Sequence, residues 1–173
     1  MSTRSLICMK VDDDKYNTIY CHSDGYLTYN GAMLVDHYKD REKVEKLLNI
    51  GNISLLAENI DPDPNKPHSF NYTERQEGVV VAYGRDAGEE NQEYSVCSLQ
   101  DLKEWNSIEY IYIFDENNEW QYSHYPFDKF ESVKDGLDKK YKILGIKRPK
   151  DFYGCWTDEI LKEEKKRQEQ EEM

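Results

Sequence analysis

The sequence predicts an α+β fold: a mostly antiparallel, twisted sheet with helices packed on it and a charged helix at the C-terminus. Three observations lead there. The order of hydrophobic periodicities is two strands, two helices, several strands broken by a short helix, then helices, whereas a doubly wound fold alternates strand and helix regularly. Two pairs of strand-like runs flank short turn-forming clusters, so they read as hairpins, which are antiparallel by construction. No internal repeat occurs, which argues against a solenoid. A chain of 173 residues suits one compact domain. Residues 1–156 are read as that domain and 157–173 as a charged helical tail.

Ser5 to Val11 is an apolar run that stops at Asp12-Asp13-Asp14-Lys15, and Tyr16 to Cys21 resumes with β-branched and aromatic residues. This predicts a hairpin with an acidic turn. Cys21 to Gly31 follows as a joint rich in turn residues. Ala32 to Tyr38 has helical spacing, and Asp40 is placed to cap a second helix whose buried stripe is Val44, Leu47 and Leu48. Gly51 suits the left-handed position just beyond that helix. Ile53 to Leu56 reads as a short further element. Three prolines between Asp61 and His68 exclude helix interior and central strand, leaving a loop.

Gly78 to Tyr83 is nearly continuous in apolar residues, the pattern of a strand buried on both faces, and is expected to be the central strand. Gly84 to Asn91 is read as a polar loop, Glu93 to Cys97 as a short strand, and Leu99 to Trp105 as one or two helical turns. Glu109–Phe114 and Glu119–Ser123 form a second hairpin around Asp115-Glu116-Asn117-Asn118. Its alternation is expected to place a row of rings on each sheet face. Phe130 to Ile146 carries Phe130, Val133, Leu137, Tyr141 and Leu144 at helical spacing, with Pro149 expected to end the helix. Thr157 is placed to cap the charged tail helix.

Composition narrows the function classes. There are 35 acidic and 23 basic residues, a formal charge of -12, so phosphate backbones and anionic membranes are repelled and direct nucleic-acid binding is disfavoured. The same charge favours docking onto basic surfaces. Cys8, Cys21, Cys97 and Cys155 form no CxxC pair, so they read as reduced thiols, and no run approaches the roughly 20 apolar residues of a membrane span. No apolar leader is seen either, and a cytoplasmic location is expected.

Four constellations bear chemistry. His22 and Asp24 are two residues apart at a strand end, where a carboxylate can fix an imidazole as a base. Together with Tyr26 and Arg85 they frame the enzymatic or small-molecule (nucleotide) reading. A nucleophile is missing, because Cys21 points to the opposite face of an ideal strand and no GxSxG elbow occurs. The structural alternative makes Asp24 an Asx-turn acceptor and Gly25 a positive-φ residue, with Asn30-Gly31 repeating the device. A metal would need His22, His37, His68 or His124 to converge with Asp24 or Asp36, and their spacing does not specify it, so neither metal nor cofactor is expected. Tyr83 to Glu89 lacks the Lys-Ser/Thr of a phosphate loop, and an Arg85–Asp86 ion pair is expected instead. Finally, carboxylates at Asp12, Asp13, Asp14, Glu89, Glu90, Asp115 and Glu116 are spread over several loops. On a rigid surface they can imitate a row of phosphates; as scattered residues they only solvate it.

Residues 1–125 resemble a family of small proteins encoded by phages and prophages of Gram-positive bacteria. The resemblance rests on Thr3-Arg4-Ser5, Ile19-Tyr20-Cys21-His22-Ser23-Asp24-Gly25-Tyr26, Tyr29-Asn30-Gly31, Leu34, His37-Tyr38, Val44, Leu47 and Ala82-Tyr83-Gly84-Arg85-Asp86. Ser23 departs from the bulkier residue, often tryptophan, found there. The resemblance implies a non-enzymatic anti-CRISPR inhibitor, acting as an acidic DNA mimic on a Cas9-type effector, with or without its guide RNA. His22, Asp24 and Tyr26 would join the seven loop carboxylates as partner-binding residues. A homodimer is compatible with this reading.

Overall fold

The computed structural model describes residues 2–172. Its architecture is α+β, one open mixed sheet of eight strands with six α-helices. The N-terminal hairpin forms as its alternation requires: β1 (Ser5–Asp12) and β2 (Lys15–Cys21) pair antiparallel from Ser5↔Cys21 to Asp12↔Lys15. Asp14 supplies the left-handed turn residue at φ 48, a conformation that aspartate tolerates better than most residues. One α-helix, α1 (Ala32–His37), follows a π-helical turn at Leu27–Gly31, and the next, α2 (Arg41–Asn49), is capped by Asp40, which accepts a hydrogen bond from Lys43 N at 2.9 Å. Val44, Leu47 and Leu48 are buried and Gly51 takes φ +83, the cap geometry expected from the sequence.

The rest of the sheet comprises β3 (Ile53–Leu55), β4 (Val81–Ala82), β5 (Ser95–Cys97), β6 (Tyr110–Phe114), β7 (Trp120–His124) and β8 (Glu131–Ser132). The order is β4-β3-β2-β1-β6-β7-β8, and β5 also pairs with β2. Among the described residues five ladders are antiparallel, as expected for most of the sheet, and two are parallel, β1 with β6 and β2 with β3. Hairpins fix only the pairing of sequence neighbours. The two hairpins meet through β1 and β6, and nearly a hundred residues of intervening chain set that direction.

Gly78 to Tyr83 is not the central strand. Only Val81 and Ala82 enter the sheet, at its edge beside β3. Val79 to Ala82 are buried because the preceding loop folds over them: Val80 N donates to Asn59 O, and Val79 bridges Asn59. Continuous burial in sequence therefore reported a covered edge. The central position belongs to β1. Gly84 to Asn91 is not all loop either, since α3 (Tyr83–Ala87) forms a short helix closed by Gly88 at φ 71.

A further helix, α4 (Leu99–Lys103), opens with a reciprocal capping box between Ser98 and Asp101. In the second hairpin Tyr110 faces His124, Tyr112 faces Tyr122 and Phe114 faces Trp120. All six rings thus lie on one face, not one row on each, because strand alternation keeps facing pairs together. That face carries the larger core, including Ile7, Ile19, Tyr112, Phe114 and Trp120, under α1, α2 and α5 (Val133–Leu144). The opposite face packs Leu6, Cys8, Ile111 and Ile113 against Leu102, Ile108 and Phe127. Gly145, at φ 75, ends α5 four residues before Pro149. A final helix, α6 (Asp158–Glu171), is capped by Thr157 as expected and touches the body where Gln168 exchanges two hydrogen bonds with the Lys147 backbone, 2.8 and 2.9 Å. Among the described residues no helix is long and apolar enough to cross a membrane.

Candidate functional site

Cys21 pairs with Ser5 at one end of the sheet, so His22, Ser23 and Asp24 leave β2 there. The candidate His22–Asp24 dyad does not form. His22 Nδ1 lies 2.9 Å from Tyr20 Oη on the neighbouring ring, whereas Asp24 turns away with φ 54. Its carbonyl accepts from Asn30 N at 3.2 Å, which closes the joint. The turn roles also exchange: Asp24, not Gly25, takes the left-handed conformation. Gly25 is needed for space, since a Cβ there would sit 2.8 Å from both Ser5 Cβ and Thr3 O. Gly31 is right-handed and helical, so Asn30-Gly31 does not repeat a turn. Asn30 instead is fully buried, with Nδ2 donating to Ser5 Oγ at 3.1 Å. Tyr26 stands edge-on to Tyr29, ring centroids 6.4 Å apart, and burial with the nearby Asp24 charge raises its phenol pKa.

Two imidazole–carboxylate contacts form elsewhere. His68 Nδ1 accepts from Gln76 N at 3.0 Å, so the Nε2 side faces Val80 O at 3.2 Å and Asp86 Oδ2 at 3.3 Å. Both side chains are almost wholly buried, 2% and 4% exposed. Asp86 also accepts from Ala82 N at 2.7 Å and from Arg85 Nε at 2.9 Å, and Arg85 continues to Ile60 O and Val80 O at 2.6 and 2.7 Å. The expected Arg85–Asp86 ion pair is present, as part of a clamp that ties the proline-rich loop to β4. Burial pushes the Asp86 carboxyl up, but Arg85 and the Ala82 amide outweigh it and hold the pKa below the usual value.

The second contact is His37 Nδ1 to Glu58 at 3.6 Å, on a network that no motif or spacing signals. His37 Nε2 lies 2.7 Å from Tyr153 Oη, which donates to Asp36 Oδ2 at 2.7 Å, and Arg148 grips both Asp36 oxygens at 2.9 and 2.5 Å. Burial raises the Asp36 carboxyl, and Arg148 with Tyr153 lowers it further than burial raises it. Asp36 and Arg148 are 112 residues apart, beyond the reach of any spacing rule.

This network borders a cleft of about 730 Å³, which opens beside the Asp24 joint. Met33, Leu55, Val79 and Val81 give it an apolar lining, to which Tyr29 and Tyr153 add rings edge to face with centroids 6.5 Å apart. Asp24, Glu58, Glu77 and Asp151 supply its carboxylates. Arg75 also reaches it, stacked 4.3 Å from the Tyr72 ring, with Nε donating to Phe70 O at 3.0 Å. Of the four residues framing the small-molecule reading, only Asp24 lines this cleft. His22 is engaged with Tyr20 and Arg85 with Asp86, Ile60 and Val80, while Tyr26 packs on Tyr29 outside the lining.

The loop carboxylates divide. Because β1 and β6 run parallel, the Asp12–Asp14 turn and the Asp115–Glu116 turn emerge at the same end of the sheet, opposite His22. Lys10 Nζ joins them, 3.4 Å from Glu116, and Arg41 donates to Lys10 O at 2.6 Å. Asp115 is occupied within its own turn, accepting from Asn117 N and Glu119 N at 2.9 and 3.0 Å, and Asp14 accepts from Leu99 N at 2.7 Å. Asp12, Asp13 and Glu116 are exposed. Glu89 and Glu90, also exposed, lie apart, beyond α3 next to Gln92 and Asn49.

Among the described residues no group of three or more His, Cys, Asp or Glu side chains is placed to hold a metal ion. Cys8 and Cys21 are fully buried, and burial pushes their thiols up to about 12 and about 11; of the four cysteines only Cys155 is exposed. Compared with known proteins, the chain matches no family model, no curated protein and no solved structure.

Proposed function

We propose that this protein is a non-enzymatic acidic inhibitor, which binds a basic, nucleic-acid-handling surface and obstructs it. One observation carries the reading: the parallel β1–β6 pairing gathers two acidic turns at one end of the sheet, with Asp12, Asp13 and Glu116 exposed. Carboxylates held by a hairpin scaffold keep their spacing, as phosphates on a duplex do, and electrostatic complementarity then supplies orientation and on-rate.

The partner proposed is a Cas9-type effector in the host cytoplasm, with or without guide RNA, a target drawn from the sequence resemblance. Its channel must engage guide, target duplex and PAM through basic residues, so an acidic competitor has a large surface to occupy. Pull-down of the purified effector, with and without guide RNA, tests this. A complex in either condition supports the reading; no complex in both removes it.

A further inference from the structure

We propose that the cleft beside the Asp24 joint receives an arginine side chain from the basic surface of the partner. This rests on the reading above and adds a second contact, at the sheet end opposite the acidic turns, for a partner large enough to span both. The cleft volume of about 730 Å³ lies in the range of ordinary ligand sites and exceeds one side chain, leaving room for the residues that flank it. Charge decides the sign of the occupant. Four carboxylates, Asp24, Glu58, Glu77 and Asp151, line the cleft against one guanidinium. Among the described residues no basic side chain forms an ion pair with Asp24, Glu77 or Asp151. Arg75 offsets one of the four charges and is itself held by Tyr72, Phe70 and the Phe70 carbonyl, so the lining keeps an excess of negative charge.

The walls decide what kind of cation enters. A small metal ion requires converging oxygen or nitrogen ligands and gains nothing from an aliphatic floor. Here Met33, Leu55, Val79 and Val81 line the same cleft as the carboxylates, together with the Tyr29 and Tyr153 rings. An amphipathic cation matches that mixed lining, with its alkyl stem against the apolar side chains and its charged head on the carboxylates. Arginine suits it better than lysine, since a planar guanidinium stacks on a phenol ring while donating in its own plane to carboxylates. The protein makes this contact internally at the same cleft, where Arg75 lies on Tyr72.

The test is fluorescence anisotropy with a fluorescein-labelled tetra-arginine peptide on the full chain. Asp24→Asn with Glu77→Gln is compared with Glu45→Gln plus Asp138→Asn, which removes the same charge from exposed helix positions. Loss of at least about tenfold in affinity for the first pair, the scale of one charge-assisted hydrogen bond, with less than about twofold for the second, is expected. Equal loss in both pairs, or equal binding of a tetra-citrulline peptide, overturns the proposal. Spermine or tetra-lysine competing as well as tetra-arginine overturns the choice of arginine. Amide shifts of Gly78 and Val79 in the unsubstituted protein should move on titration while Gly88 stays still; the reverse refutes the location. If the peptide binds but the effector pull-down fails, the function reading falls and the cleft remains a guanidinium site. If the effector binds but the peptide does not, only the cleft assignment falls.

Discussion

Gly51 is the position where one added carbon should cost the most for its size. It closes α2 at φ +83, and a Cβ built there lies 2.1 Å from the Gln92 carbonyl oxygen. A normal carbon–oxygen approach is about 3.3 Å, so that carbonyl would have to retreat by roughly 1 Å. It cannot do so freely, because it accepts from Asn52 N at 2.8 Å. Gly51→Ala therefore adds about 1 kcal/mol for a left-handed alanine and about 1–3 kcal/mol for a broken or orphaned backbone hydrogen bond. Gly88→Ala is the control. It has φ +71 but no atom within 4 Å of the added carbon, so only the conformational cost of about 1 kcal/mol applies. Urea denaturation followed by tryptophan fluorescence should place Gly51→Ala about 1–3 kcal/mol below Gly88→Ala. Equal losses in the two variants would refute the close approach of the Gln92 carbonyl to α2.

Charge reversal at Asp13 and Glu116 to lysine should weaken the effector complex at least about tenfold and flatten its salt dependence, since close charge pairs across an interface are worth about 1.5 kcal/mol or more; unchanged binding in a salt-titrated pull-down would remove the acidic edge from the interface. Stability should fall as pH drops below about 4, because Asp36 and Asp86 have folded pKa values below their unfolded ones, and such carboxylates add stability above the unfolded pKa that is lost through the folded one. Asp36→Asn should make the acid limb shallower in urea titrations across that range, and an unchanged slope would contradict the Arg148 contact. In native protein a disulfide reagent should modify Cys155 alone of the four thiols, with Cys8, Cys21 and Cys97 protected until unfolding, as counted by intact mass; rapid native labelling of Cys21 would contradict its burial.

Local signals were legible in the sequence wherever a short run settles its own geometry. Asp40 and Thr157 cap the helices they precede, the Asp13-Asp14 and Asp115–Asn118 clusters turn the two hairpins, and Val44, Leu47 and Leu48 face the core. The acidic balance and the absence of an elbow or CxxC pair were equally plain. Misreadings arose where burial had two possible causes. Gly78 to Tyr83 was apolar because a loop covers a sheet edge, and that cover is supplied by Asn59 and the His68–Asp86–Arg85 clamp.

The sequence alone thus determined most of the longer elements, the Asp40 and Thr157 caps and the sign of the surface, since each depends on neighbours within a few residues and on summed charge. Tertiary structure decided the rest. The parallel β1–β6 pairing, the position of β1 at the centre, the Asp36–Arg148 contact and the cleft between Asp24 and Tyr153 all join segments far apart in the chain. Such contacts follow from how whole faces bury together, and no spacing within the sequence records which distant partner wins.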